Sequence, residues 1–283
     1  MVNFNQSSAE IFIPDGVAHE KAFSRITHLA ISAHQDDLEI MATQPILKCF
    51  QQKDLWFGAV IMTDGRGSPR DGIYKNYSDD EMRIVRAKEQ KKAAYIGEYS
   101  VQVLLDYPST SIKDKLNKKP VEDLLAILKS SHPQYVYTHN LADKHDTHVA
   151  TSLRLIQAIH MLPQDERPER LYGCEVWRNL DWLADEEKVV FDLSDQENMQ
   201  LALLGVFDSQ ICGGKRYDLA SMGRRKANAT YFESHGLDTS LGMTFGMDLT
   251  PLIQDNNLSI NEFVQGYIER FRIDVVNRIG RFS

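Results

Sequence analysis

From Thr27 onward, short apolar runs alternate with longer amphipathic stretches. The pattern predicts strands at about 26–33, 56–63, 101–106 and 134–138, separated by helices at about 37–53, 79–97, 120–131 and 145–161. The strands are nearly continuous in apolar residues rather than alternating, as expected where both faces of a sheet are covered. Strand and helix in regular succession then give a mostly parallel sheet with helices on both faces, an α/β architecture of the Rossmann-like kind. Further on, Leu171 to Arg178 predicts another strand and Asp195 to Phe207 a helix. Residues 211–250, with Gly213-Gly214 and Ser234-His235-Gly236, predict loops that wall a pocket. Residues 1–20 read as a lead-in segment, and there is no internal repeat. The expectation is one domain over 1–283, with its core at about 26–210 and with 211–283 supplying loops and elements around the pocket.

The chemistry gathers at predicted strand ends. The run Ile26 to Ile31 closes in Ala33-His34-Gln35-Asp36-Asp37-Leu38-Glu39, one imidazole and two adjacent carboxylates where the strand stops. Unpaired ionised carboxylates in a core cost several kcal/mol, so these acids must meet water, a cation or a ligand. His34 and Asp37 stand three apart and can reach one ion if the chain turns into a helix there, leaving Asp36 free. Three protein ligands with one open position is the usual catalytic zinc arrangement, so a third ligand must come from another strand end. The run Tyr135 to Tyr137 offers one: it ends in Thr138-His139-Asn140-Leu141-Ala142-Asp143-Lys144-His145-Asp146-Thr147-His148. If a helix begins near Asp143, His145 and His148 share a face, so that one can ligate while the other donates a proton or hydrogen bond. In open α/β sheets ligands lie beyond the carboxyl ends of the strands, where both segments fall.

Together the two segments resemble the PIG-L or LmbE-like family of zinc-dependent N-acetylglucosamine deacetylases. The first matches the Ala-His-Pro-Asp-Asp-x-Glu signature at every place but one, and Asp143 to His148 matches Asp-x-His-x-x-His. The resemblance continues through Thr63-Asp64-Gly65 with Gly67-Ser68, through Arg86-Ala87-Lys88-Glu89 with Ala93-Ala94 and Ile96-Gly97, and weakly to Ser209-Gln210. It covers about residues 26 to 210 and implies an LmbE-like fold. Gln35 stands where the family usually has proline, which removes a fixed φ but no metal-binding atom. The second motif carries its acid one place earlier than the common His-Pro-Asp-His, which leaves Asp143 and Asp146 as alternative partners for His145.

The resemblance implies roles for these residues. His34, Asp37 and His148 would bind zinc, with ferrous iron an alternative in the cell, and leave a position for water whose pKa the ion lowers toward ~7. Asp36 would act as general base and His145 would steady the oxyanion or return a proton. Asp143 and Asp146 would support the ligands from behind. Glu39 reads as a structural acid at a helix start, and His139 as either a support for the metal or a strand-end residue bonded to backbone. Arg86 matches a family arginine that faces substrate hydroxyls; its bland reading is a surface ion pair with Glu89. Asp106, at the end of the third strand, and Arg66, in the turn after the second, are further candidates for substrate contact. Arg224-Arg225-Lys226 reads as solvated surface, and Trp177 and Trp182 as core.

Composition narrows the field. The chain has 283 residues, 42% hydrophobic and 25% charged, and a net charge of −8, which disfavours nucleic acid and anionic membranes as general partners. No apolar run approaches the ~20 residues of a membrane span and no early stretch resembles a signal peptide, so the expected location is the cytoplasm. Cys49, Cys174 and Cys212 have no paired spacing and predict free thiols. The reading is a hydrolase that takes an N-acetyl group from an N-acetylglucosamine-type sugar, a small-molecule amino-sugar substrate, with homo-oligomer formation left open. Its alternatives are a zinc amidohydrolase for another small amide and a non-catalytic nucleotide- or sugar-binding protein. The nucleotide-binding alternative is disfavoured because His34 to Glu39 stands where Gly-x-Gly-x-x-Gly would follow the first strand.

Overall fold

The computed structural model describes residues 2–233 and 235–283. In chain order the elements are β1 (Glu10–Phe12), α1 (His19–Ser24), β2 (His28–Ser32), α2 (Asp37–Met41), α3 (Thr43–Cys49), β3 (Phe57–Thr63), α4 (Asp79–Ile96) and β4 (Val101–Tyr107). There follow α5 (Ser109–Lys113), α6 (Lys119–Ser131), β5 (Tyr135–His139), α7 (Asp146–His160), β6 (Arg170–Cys174), β7 (Lys188–Asp192) and α8 (Glu197–Gly205). The chain closes with α9 (Asp208–Ile211), α10 (Tyr217–Tyr231), β8 (Met243–Asp248), α11 (Thr250–Gln254) and α12 (Ile260–Gly280).

One eight-stranded sheet runs in the order β1-β4-β3-β2-β5-β6-β8-β7. Its centre, β4 through β6, is parallel, and β1 and β8 pair antiparallel toward the two edges. Every residue of β2, β3 and β4 is buried, because helices cover both faces. Each large apolar side chain so removed from water contributes about 1.5–3 kcal/mol. The strand order reverses between β2 and β5, where Leu29 pairs with Val136. Chains leaving the carboxyl ends of these two neighbours diverge to opposite faces and leave a crevice between them.

Local chemistry explains several boundaries. The Ser78 hydroxyl and the Glu81 carboxylate form a reciprocal capping box that starts α4. The helix expected at 37–53 is broken at Ala42 into α2 and α3, with Arg225 donating to the Glu39 and Ile40 carbonyls near the break. The strand expected at 171–178 stops at Cys174, and the residues beyond it turn into the crevice wall. Residues 211–250 are not loops throughout: they contain α10 and β8, whose flanking glycines disguise them. Ser234, assigned to that loop region, lies outside the described residues. Among the described residues, no helix is long and apolar enough to cross a membrane.

Candidate active site

The turn after β2 delivers the first set of side chains. Asp36 adopts φ 84 and ψ −28, a left-handed conformation that Asp tolerates better than most residues, and it sharply redirects the chain into α2. Asp37 then folds back, its Oδ2 accepting from the His34 backbone N–H at 2.8 Å. From the turn after β5, the first turn of α7 brings His148 to the same point. His34 Nδ1 lies 3.2 Å from Asp37 Oδ2 and 3.1 Å from His148 Nε2, and His148 Nε2 lies 3.3 Å from Asp37 Oδ2.

These three atoms form a nearly equilateral triangle. A proton can bridge one edge of it; a cation can satisfy all three lone pairs. Some point just off the plane is about 2.0–2.1 Å from each vertex, the length of zinc bonds to imidazole nitrogen and carboxylate oxygen. The electrostatics agree. Burial favours neutral forms, yet His148 and His34 hold the Asp37 carboxyl well below the usual range. Burial also pulls His148 down, but Asp37 and Asp143 more than offset it and push that imidazole up to about 9. The buried acids therefore call for positive charge here, and the residues fit a divalent cation.

His139 marks the limit of the set. Its Nε2 is 3.5 Å from Asp37 Oδ2, but that nitrogen already accepts the Ala33 backbone N–H at 2.9 Å. Its ring stacks on His148 at 3.8 Å, and burial holds its pKa well below the ordinary value. It is a neutral support bonded to backbone, the second of its two expected readings. Asp143 lies behind His148, with Oδ2 at 3.6 Å from Nδ1, and its carboxylate also accepts the backbone N–H groups of His145 and Trp177. Asp143 thus faces His148 rather than the His145 ring, while Asp146 is exposed in the first turn of α7. The sequence poses Asp143 against Asp146 as the partner of His145, and the carboxylate that matters backs the other histidine. The His145 ring stacks on His148 at 4.6 Å and its buried Nδ1 has no hydrogen-bond partner.

Asp36 is held differently. Its Oδ1 lies 3.4 Å from an Arg86 nitrogen, whereas its buried Oδ2 has no partner. Burial is the main cause of its raised pKa, about 7, with Arg86 pulling the other way. Arg86, Glu89 and Gln90 share the buried face of α4 that meets this turn. Arg86 also donates to the Gln35 carbonyl and pairs with Glu89 at 3.3 Å, and Glu89 accepts from the Ser209 backbone N–H and hydroxyl at 2.7 Å. The pair is buried, not a surface one. Gln90 accepts the Asp36 N–H at 3.2 Å. In place of a proline ring, Gln35 anchors the turn by donating from its amide to the Thr63 carbonyl at 3.0 Å. Gly65 has φ +72, a conformation strained for other residues, and a Cβ there would also stand 2.6 Å from the Gln35 amide oxygen and 3.0 Å from the Arg86 Cβ.

A cavity of about 540 Å³ opens over these groups. His34, Asp36, Asp37, Arg86 and His145 line its floor, and Trp177, Lys215, Tyr217 and Arg224 its wall. Trp177 packs against the core, as its type suggests, and also lines the cavity: its ring stacks near His145 at 6.5 Å and carries the Lys215 ammonium at 5.1 Å. Its position just past the end of β6, on the same sheet edge as both metal segments, is the signal in the sequence that marks it. Of the residues past 210, Lys215, Tyr217, Ala220, Ser221 and Arg224 reach the cavity; the elements from β8 onward do not.

Three assignments need correction. Asp106 does not line the cavity: Arg83 grips both its oxygens at 2.6 and 2.7 Å and the Ser8 hydroxyl donates at 2.5 Å, so the carboxylate is fully used. Arg66 also stays outside, spanning Asp64 and Asp80 at 2.9 and 2.8 Å. Arg225 is buried rather than solvated, donating to the Thr43 hydroxyl at 2.6 Å and the Gln200 amide at 3.0 Å, whereas Lys226 pairs with Glu197 at the surface. Glu39 is a structural acid as expected, but by a different route: it is fully buried and accepts from Gln90 and Tyr99 at 2.8 Å. Burial pushes its pKa up to about 7.

Residues 29–159, which carry both metal segments, match the family model PIG-L: GlcNAc-PI de-N-acetylase. This stretch is a PIG-L family domain. No curated protein matches the chain. Among solved structures, N,N'-diacetylchitobiose deacetylase from Pyrococcus horikoshii is similar at 16% identity and TM-score 0.63, over 88% of this chain and 92% of its own. The conserved protein TT1542 from Thermus thermophilus is similar at 17% and 0.62, over 82% and 98%. GalB from Pseudomonas putida, a 4-carboxy-2-hydroxymuconate hydratase, is similar at 15% and 0.58, over 82% and 100%. At such identities the likeness shows that the PIG-L domain and its flanking elements share these proteins' fold.

Proposed function

We propose that this protein is a divalent-metal-dependent N-deacetylase acting on an N-acetylglucosamine-type sugar or sugar conjugate. The observation that carries the reading is the coincidence, in one cavity, of the His34, Asp37 and His148 triangle with a buried carboxylate oxygen of Asp36 that no protein group satisfies. The PIG-L match over residues 29–159 supports the amide as the bond attacked and the amino sugar as its bearer. GalB, described as a hydratase, has a similar fold, so the fold by itself does not select the reaction; the family match and the site geometry support amide hydrolysis.

His34 Nδ1, Asp37 Oδ2 and His148 Nε2 would hold the ion, zinc in the first instance. Bound there, it would supply Lewis acidity toward the amide carbonyl and lower the pKa of water. The chain's own groups account for the rest. Asp36 Oδ2, free of protein donors, takes the proton from water as that water attacks the carbonyl carbon. Arg86 keeps Asp36 oriented through Oδ1 without occupying Oδ2. His145, stacked on His148 with its Nδ1 unengaged, donates a hydrogen bond to the oxygen where negative charge develops. The proton held on Asp36 then passes to the departing amine, so acetate and free amine leave with no net change in the enzyme. Trp177 offers an apolar face for the sugar ring.

Metal analysis of the purified protein together with acetate and amine release across a panel of N-acetylated sugars tests the reading. One equivalent of metal and turnover on an N-acetylglucosamine compound are expected. Turnover confined to non-sugar amides would overturn the substrate class, and a metal-free protein with no amide turnover would overturn the whole.

A further inference from the structure

Asp36, the base of the proposed reaction, sits at φ 84, a backbone conformation disfavoured for residues that carry a Cβ. Something must hold it there. The Arg86 guanidinium reaches one carboxylate oxygen of Asp36 at 3.4 Å, which restrains the side chain but not φ. The backbone is held separately, at the peptide unit that joins Gln35 to Asp36. The carbonyl of that unit accepts from Arg86, and its N–H donates to Gln90 Oε1 at 3.2 Å. A trans peptide points these two groups in opposite directions, so each end needs its own partner. Arg86 and Gln90 stand four apart on the buried face of α4, neighbours across one helical turn, and between them they grip both ends of the plane. Rotating that one plane is the shortest way out of the left-handed region, and the grip opposes it.

The surroundings of Gln90 fix which way its amide faces. The side chain is fully buried, and its Nε2 lies between two oxygens, Glu39 Oε1 at 2.8 Å and Gln102 Oε1 at 3.1 Å. The Gln102 amide is itself oriented, because its Nε2 donates to the Val103 carbonyl at 3.0 Å. Of the two ends of the Gln90 amide, only the nitrogen can donate to both acceptors, so the oxygen is left to face the Asp36 N–H. Polarity is thus set in β4 and passed through α4 to the turn after β2. The same amide, by holding Glu39, spans the turn from its left-handed residue to the helix that follows. An apolar side chain at 90 would fill the space and leave a buried N–H without a partner.

We propose that Gln90 is a positioning residue for the reaction: by accepting the Asp36 N–H it keeps Asp36 left-handed and the unpartnered Oδ2 turned into the cavity. The inference rests on Asp36 serving as the base. Gln90 does not line the cavity, so it acts only through the turn it holds. Asp37 is anchored on its own account, through the His34 N–H and the two imidazoles, so the ion site does not depend on Gln90. Loss of the Gln90 oxygen therefore displaces the base and leaves the ligands in place.

Gln90→Met, which keeps the length of the side chain and replaces its amide with an adaptable apolar end, tests this in the zinc-loaded full chain. For acetate release from an N-acetylglucosamine compound, kcat is expected to fall by ~10–10²-fold with KM and bound metal unchanged, as when a base is misplaced by about 1 Å. Hydrogen exchange at the Asp36 amide, followed by nuclear magnetic resonance, should be slow in the wild type and at least ~10-fold faster in the variant. An unchanged kcat, activity lost together with the metal, or a rise in KM alone would overturn the proposal. Should the variant not fold, the wild type decides. An Asp36 amide that exchanges as fast as those of exposed turns overturns the proposal, and a protected one upholds it. A wild type with bound metal and no amide turnover would instead refute the deacetylase reading, and the exchange rates would still judge the hold of Gln90 on the turn.

Discussion

The ends of β2 and β4 each place a buried aspartate on a left-handed backbone: Asp36 at φ 84 and Asp106 at φ 58. In sequence they look alike, an acid closing an apolar strand. In space they differ in one respect that decides their use. Asp106 is gripped by Arg83 through both oxygens and by Ser8, so all its bonding capacity goes to the protein. Asp36 is steadied through one oxygen at 3.4 Å, and the other is left buried and unpartnered at the floor of a cavity. An unsatisfied buried carboxylate oxygen costs stability; Glu39 Oε2 is another, away from the cavity, but only the Asp36 oxygen is placed where a substrate can reach it. A strand-end acid therefore marks a functional site only if the protein declines to satisfy it.

The sharpest way to break this comparison is to neutralise each acid in turn. Asp36→Asn keeps a residue that accepts φ > 0, so the backbone should hold, metal content should stay, and turnover should fall by ~10²–10⁴-fold. Asp106→Asn should leave turnover per folded molecule unchanged and cost about 2 kcal/mol in urea unfolding, from loss of a charge-assisted bidentate pair. Equal kinetic effects from the two substitutions would erase the distinction. Next in size is His145→Ala, expected to lower kcat by ~10²-fold with metal content unchanged, as loss of one oxyanion donor does; an unchanged rate would remove His145 from the reaction. Smallest is Arg66→Ala. Because this arginine serves Asp64 and Asp80 outside the cavity, its removal should change stability by under ~1 kcal/mol and leave KM unaltered. A large rise in KM would return it to the substrate.

The central sheet and the convergence of His34, Asp37 and His148 were legible because their signals are local. Apolar runs mark the strands, and His34 with Asp37 and His148 fall at the ends of two of them. What escaped depends on partners distant in sequence. Arg225 reads as surface until Glu39, Thr43 and Gln200 close around it from elements far up the chain. Asp106 reads as available until Ser8 arrives from the amino-terminal segment. The exchange of Asp143's partner, from His145 to His148, turns on where the first turn of α7 begins, which spacing alone fixes only to within a residue or two. Helix α10 is hidden by the glycines around it and by a polar composition that serves the cavity wall.

The central claim is that adjacent acids have opposite duties, Asp37 holding the ion and Asp36 standing free. Metal content of Asp36→Asn and Asp37→Asn, measured side by side by mass spectrometry after identical purification, tests it most directly. The account expects about one equivalent in the first and less than about a tenth in the second. The reverse pattern, or equal metal in both, would contradict it.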